Sequence, residues 1–90
     1  MPFEFKSDDI SELHEIIKKT KGTLILDFGA TWCSPCVRIH HYLEKMEKDK
    51  LRNVTVVFID IDDNESVSTE YNISSIPALF IYKNGKEMTQ

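Results

Sequence analysis

Basic surplus, long apolar runs and cysteine are all scarce in this chain. Its 90 residues include only two cysteines, three glycines, three prolines and one tryptophan. Eleven Lys and Arg stand against fifteen Asp and Glu, a formal net charge of −4. That balance leaves no basic stripe of the kind that nucleic acid or anionic lipid requires, so neither is expected as a partner. No apolar run approaches the roughly 20 residues of a spanning helix. The opening MPFEFKSDDI carries no apolar signal core. A cytoplasmic chain away from membranes is therefore expected, in a compartment where structural disulfides are rare. Three Asn-x-Ser/Thr triplets, at Asn53, Asn64 and Asn72, would be glycosylation acceptors only in a secreted protein and are read as coincidental.

What is present fits one small globular domain over residues 1–90, with 41% hydrophobic and 29% charged residues and no repeat, linker or low-complexity segment. FEF (3–5) alternates like a short strand. Ser7 or Asp8 can cap a helix that carries Ile10, Leu13, Ile16 and Ile17 at helical spacing and stops at Gly22. LILDFG (24–29) and VTVVFIDI (54–61) are apolar on both faces, as strands covered from both sides are. Between them Ser34 to about Lys50 fits a helix with Val37, Ile39, Leu43 and Met46 as its apolar contacts. DDNESVSTEYN offers N-caps and a short third helix, and IPALFIYKNGKEM reads as a strand, an Asn84-Gly85 turn and a returning strand. The order β-α-β-α-β-α-β-β predicts an α/β fold, a mixed central sheet with helices on both faces.

Sheet coverage raises a difficulty. A helix about 10 Å wide covers roughly two strands spaced about 4.8 Å apart. Right-handed crossovers place the first and third helices on one face and the second alone on the other. That second face lacks a partner helix.

Both cysteines lie in FGATWCSPC (28–36), two residues apart. As a staple they would close so short a loop that the unfolded chain is restricted by only about 2 kcal/mol. As a metal clip they supply half of a zinc site, with His40 four residues after Cys36 on the same side of the helix and no obvious fourth ligand. As a reaction centre they sit where a buried strand meets a helix N-terminus, whose free N–H groups and dipole favour a thiolate at Cys33. Pro35 falls in the first helical turn, where its missing N–H costs little. Spacing of i, i+3 brings the sulfurs within bonding reach. Cys33 can then attack a disulfide and Cys36 resolve the mixed disulfide, with Trp32 a flat apolar surface beside them. Position favours this third reading.

The segment DFGATWCSPC resembles the active-site segment of the thioredoxin family, usually Asp-Phe-x-Ala-x-Trp-Cys-Gly-Pro-Cys. FIDIDDNESVSTEYNISSIPALFIYKNGK is similar to that family's third strand, third helix and cis-proline hairpin, and the likeness runs from Phe3 to Glu87. The resemblance implies a thioredoxin fold and a dithiol–disulfide oxidoreductase that reduces protein disulfides without metal or organic cofactor. It makes Cys33 the exposed nucleophile and Cys36 the buried resolving thiol. Ile76 and Pro77 become the cis-proline platform for an extended substrate. Asp27, the one charge in LILDF, matches the family's buried carboxylate, its pKa raised by burial so that it exchanges a proton with Cys36. Electrons would come from a flavin- and NADPH-dependent thioredoxin reductase.

Departures from the pattern carry expectations of their own. Ser34 replaces the usual glycine and can shift the redox potential toward oxidase or isomerase work. Gly29 stands where many members have a second tryptophan, and His41 where a proline often kinks the helix. Phe58 occupies the place of a lysine near the buried carboxylate, so Asp27 is expected to lack a cationic neighbour. The C-terminal helix of the family is absent, which matches the uncovered face. Either the chain is cut short, or a native minimal form exposes an apolar patch and dimerises or is marginally stable. A thioredoxin-fold binding module with an incidental or zinc-loaded dithiol is the alternative function.

Overall fold

The computed structural model describes residues 3–89. Strand β1 (Phe3–Phe5) leads to α1 (Ile10–Lys19), β2 (Thr23–Gly29) and α2 (Ser34–Lys48). A 3-10 turn at Lys50–Arg52, β3 (Val54–Asp60), α3 (Glu65–Glu70), β4 (Ala78–Lys83) and β5 (Lys86–Glu87) follow. The five strands form one sheet in the order β1-β3-β2-β4-β5. β1, β3 and β2 are parallel, and β4 and β5 antiparallel. The mixed sheet agrees with the sequence expectation, element by element.

Both faces of the sheet are apolar because β2 and β3 lie at its centre. Leu24, Leu26 and Phe28 of β2 and Val57 and Ile59 of β3 pack under Leu13 and Ile17 of α1 and Val67 of α3. Ile25 and Val56, one residue out of phase, face Leu43 of α2, as the two-residue period of a strand requires. So α1 and α3 share one face, and among the described residues α2 alone covers the other. Ile81 of β4 is left 38% exposed there. The hairpin between β4 and β5 turns on Asn84 (φ 49°) and Gly85 (φ 83°), the two left-handed residues that a tight two-residue turn demands.

Two sequence expectations need correction at the helix starts. The cap of α1 is Asp9, whose Oδ1 accepts the Ser11 N–H at 2.9 Å, rather than Ser7 or Asp8. Asp8 adopts φ 53° and turns across the chain, where its carboxylate accepts the N–H groups of Ser66 (3.3 Å) and Val67 (3.0 Å). It therefore caps α3 from 58 residues away. Asn64, at the N-cap position of α3, makes no cap bond of its own. Its amide is fully buried and committed elsewhere. Nδ2 donates to Phe5 O (3.0 Å) and Asp60 O (2.9 Å), and Oδ1 accepts Asp8 N–H (3.1 Å). One side chain thus joins the ends of β1 and β3 to the entry of α1. The other two Asn-x-Ser/Thr asparagines, Asn53 and Asn72, hold left-handed turns at φ 50° and 54°.

Candidate active site

Strand β2 ends at Gly29, and the chain crosses in four residues to the N-terminus of α2. Cys33 is the N-cap of α2 and Cys36 lies one turn along, with Pro35 between them in the first turn. The two cysteines are joined by a disulfide, their Cα atoms 5.2 Å apart. The N–H of Cys36 points at Cys33 Sγ from 3.2 Å, so the helix terminus directs a free donor at that sulfur. Cys33 is 8% exposed and Cys36 2%. Both are buried, so the exposure expected of Cys33 is not seen in the disulfide form. Ala30, Ile61 and Ile76 pack around the pair.

Close approach explains Gly29. A Cβ built there would meet Cys36 Cβ at 3.1 Å and Sγ at 3.3 Å. Trp32 is 67% exposed, with Nε1 donating to Asp62 Oδ2 at 2.8 Å. Asp62 is itself held by its N–H on Asp60 Oδ1 (2.9 Å). Ser34 and Pro35 lie exposed on the same rim. The Ile76–Pro77 peptide bond is cis. In the core on the α1–α3 face, Phe28, Tyr71 and Phe80 form an aromatic triangle with centroids 4.9–5.6 Å apart. The structure therefore brings together Cys33, Cys36 and Ile76, with Trp32, Ser34 and Pro35 beside them. Ile61 and Asp62, which no sequence signal singled out, belong to the same surroundings.

Asp27 lies deeper, 0% exposed on the α2 face of β2 and in register with Phe58 of β3 and Leu79 of β4. Burial pushes its carboxyl above the ordinary carboxylate range, and contact with His40 opposes that rise. Phe58 faces Asp27 from β3, and an imidazole from α2 contacts the carboxyl. His40 Nδ1 lies 3.1 Å from Asp27 Oδ2. The sequence alone suggests a third metal ligand or a surface residue at His40. Its ring instead packs against that of Phe58, centroids 4.8 Å apart and planes tilted by 59°, with Nδ1 toward Asp27. Among the described residues no group of three His, Cys, Asp or Glu side chains is arranged to hold a metal ion.

A strand-to-helix Cys-x-x-Cys disulfide on a mixed sheet with helices on both faces defines a class of α/β domain. The Thioredoxin family model matches residues 5–90. Thioredoxin of Staphylococcus aureus is 36% identical over 69 residues, 77% of this chain and 66% of that protein. The matched region thus spans just under two thirds of that relative's length. The structure of Trichomonas vaginalis thioredoxin superposes with a TM-score of 0.84 at 33% identity, covering 98% of this chain and 81% of that one. Mitochondrial thioredoxin 3 of Saccharomyces cerevisiae, in its oxidised form, gives 0.82 at 25% identity, covering 98% and 79%. This chain belongs to the thioredoxin family. No helix among the described residues is long and apolar enough to cross a membrane.

Proposed function

We propose that residues 1–90 form a single unit that reduces protein disulfides by thiol–disulfide exchange. The observation that carries this reading is the Cys33–Cys36 disulfide at the N-terminus of α2, with the Cys36 amide on Cys33 Sγ. In the dithiol form that amide and the helix terminus favour the Cys33 thiolate. The thiolate attacks one sulfur of the substrate disulfide, and the other leaves as a thiolate that takes a proton. Cys36 gives its proton to Asp27 and attacks Cys33 Sγ, which releases the second substrate sulfur as a thiolate that takes a proton from water and closes the Cys33–Cys36 bond. Two electrons pass from the dithiol to the substrate. Trp32, Ser34 and Pro35 form the contact rim, and Ile76 and Pro77 offer backbone groups to an extended substrate.

The dithiol is regenerated by an NADPH-dependent thioredoxin reductase, in the cytoplasm. No metal or organic cofactor enters this chain's own chemistry. Exposed Ile81 and Met88 support self-association at the β4–β5 end of the α2 face, which sedimentation tests. The assignment is tested by reduction of insulin disulfides. Cys33→Ser abolishes turnover, and a variant as fast as the parent overturns the assignment. The redox equilibrium against a dithiol buffer, followed by Trp32 fluorescence, then places Ser34. A potential near about −270 mV, known for thioredoxins, marks a reductase, and one near about −180 mV or higher marks oxidase or isomerase tuning.

A further inference from the structure

The buried carboxylate needs a way to exchange its proton with water. Asp27 is 0% exposed, and its Oδ1 has no hydrogen-bond partner among the described residues. Its Oδ2 is covered by the imidazole of His40, whose side chain remains 28% exposed. His40 also lines an open pocket of about 230 Å³, together with Cys36, Val37, Phe58 and Glu4. Cys36 and His40 are four residues apart on α2 and so share a face of that helix. One ring nitrogen of His40 therefore touches the buried acid while the ring edges a solvent pocket walled by the resolving cysteine.

We propose that His40 is a positioning and proton-relay residue that connects Asp27 to solvent through this pocket. The proposal rests on the thiol–disulfide reading of Cys33 and Cys36. In the resting pair the neutral carboxyl donates from Oδ2 to Nδ1, and the imidazole proton is on Nε2. Nδ1 takes the carboxyl proton as Nε2 releases its own to water. Asp27 is left ionised and held by Nδ1–H. The carboxylate then accepts the Cys36 thiol proton at Oδ1, the oxygen without a partner, as Cys36 attacks Cys33 Sγ. Asp27 is neutral again, one proton has gone to water, and the pair resets by proton exchange with the pocket. An imidazole suits this task because its ordinary titration range brackets neutral pH. Without it, a carboxyl sealed from water gains and loses its proton only through Cys36.

The groups around the ring settle what else can titrate there. Asp27 faces it from β2, Glu4 from β1, and Cys36 and Glu44 lie one turn away on α2. β3 contributes Phe58, which does not titrate, and Glu44 is engaged by His41 at 3.6 Å. Because Asp27 and His40 are in contact at 3.1 Å, any inflection in the pH profile belongs to the pair and not to either residue.

The test is single-turnover reduction of insulin by the dithiol protein from pH 5.5 to 8.5, followed by Trp32 fluorescence. In His40→Ala the resolving step slows by about tenfold to a hundredfold at pH 7, at or below the range of direct general acid–base groups. One inflection leaves the pH profile. Free imidazole restores the rate in proportion to its concentration, and His40→Ala adds nothing to the loss caused by Asp27→Asn. His40→Gln keeps a donor toward Oδ2 and serves as the second variant: it folds on the same contacts and still loses the inflection. A parental rate and profile in both variants overturns the relay. So does a slowed rate with unchanged profile shape, no imidazole rescue and full additivity with Asp27→Asn, which marks a structural role. A parent that reduces no insulin, or a Cys33→Ser variant that matches the parent, removes the functional reading itself and is thereby distinguishable.

Discussion

Asn64 offers the sharpest test of how this fold is held together. Replacing it with Ala deletes the bonds to Phe5 O, Asp60 O and Asp8 N–H, at 3.0, 2.9 and 3.1 Å. Each is worth about 1 kcal/mol net, more where the abandoned partner stays dry. The sum is about 3 kcal/mol, a large part of the roughly 5–15 kcal/mol that a small domain commands. With a urea slope near 1 kcal/mol/M for so small a domain, the midpoint falls by roughly 2–3 M.

Asn64→Asp separates the hydrogen-bonding account from simple loss of volume. The aspartate is nearly the same shape, yet it turns an amide that donates to two carbonyls into an oxygen that faces them. Protonated, it still donates to one; ionised, it donates to neither. Its folded-state pKa is therefore raised, and stability falls as pH climbs from the unfolded value near about 3.9 through the folded one. The loss grows by up to about 1.4 kcal/mol per pH unit within that window. Urea unfolding at pH 5 and pH 8 reads it directly. Because Asp60 also anchors Asp62, the acceptor for Trp32, the Trp32 emission should shift before global unfolding. A loss below about 1 kcal/mol in Asn64→Ala, or one independent of pH in Asn64→Asp, would refute the reasoning.

Asp27→Asn should make the protein more stable than the parent at neutral pH. Folded Asp27 holds its proton to higher pH than the unfolded chain does, so parental stability falls as pH rises from about 3.9 through the folded value. The variant has no such fall, and its advantage shrinks as pH is lowered toward about 4. Denaturation of the oxidised proteins at pH 4, 6 and 8 checks this, and a pH-independent difference defeats it. Trp32→Phe removes the Nε1 bond to Asp62 from a ring that is 67% exposed, so stability changes by no more than about 1 kcal/mol. Insulin reduction slows because the contact rim loses its anchored plane. A thermal shift worth more than about 2 kcal/mol would show that Trp32 is structural.

What could be read from the chain, and what could not, divides along one physical line. β2 and β3 announce themselves because a central strand is mostly apolar on both faces whatever lies around it. Cys33, Pro35 and Cys36 are legible for a similar reason: the chemistry of a helix start is local, so four consecutive residues carry it. The same holds for Asn84 and Gly85, whose left-handed turn needs nothing beyond themselves. Asn64 and Asp8 fail this test. Each is a plausible cap for its own helix, and each caps or ties a segment more than 50 residues distant. Nothing in a stretch such as SDDI or DDNES distinguishes a cap used locally from one lent across the molecule.

His40 is the instructive case because half of it was visible. Its spacing from Cys36 put it on the cysteine face of α2, and its neighbourhood to a thiol suggested metal. The missing half was the register of two strands. β2 places Asp27 opposite Phe58, so a ring occupies the point where a lysine would have reached the acid from β3. That ring cannot neutralise the carboxyl, but it packs against an imidazole, the ring centroids 4.8 Å apart. Phe58 and His40 thus act together across two elements: the sheet supplies an aromatic surface and the helix brings the imidazole to the carboxyl. Phe58→Lys without altering His40 would set an ammonium and an imidazole against one carboxylate, so the two positions are readable only together.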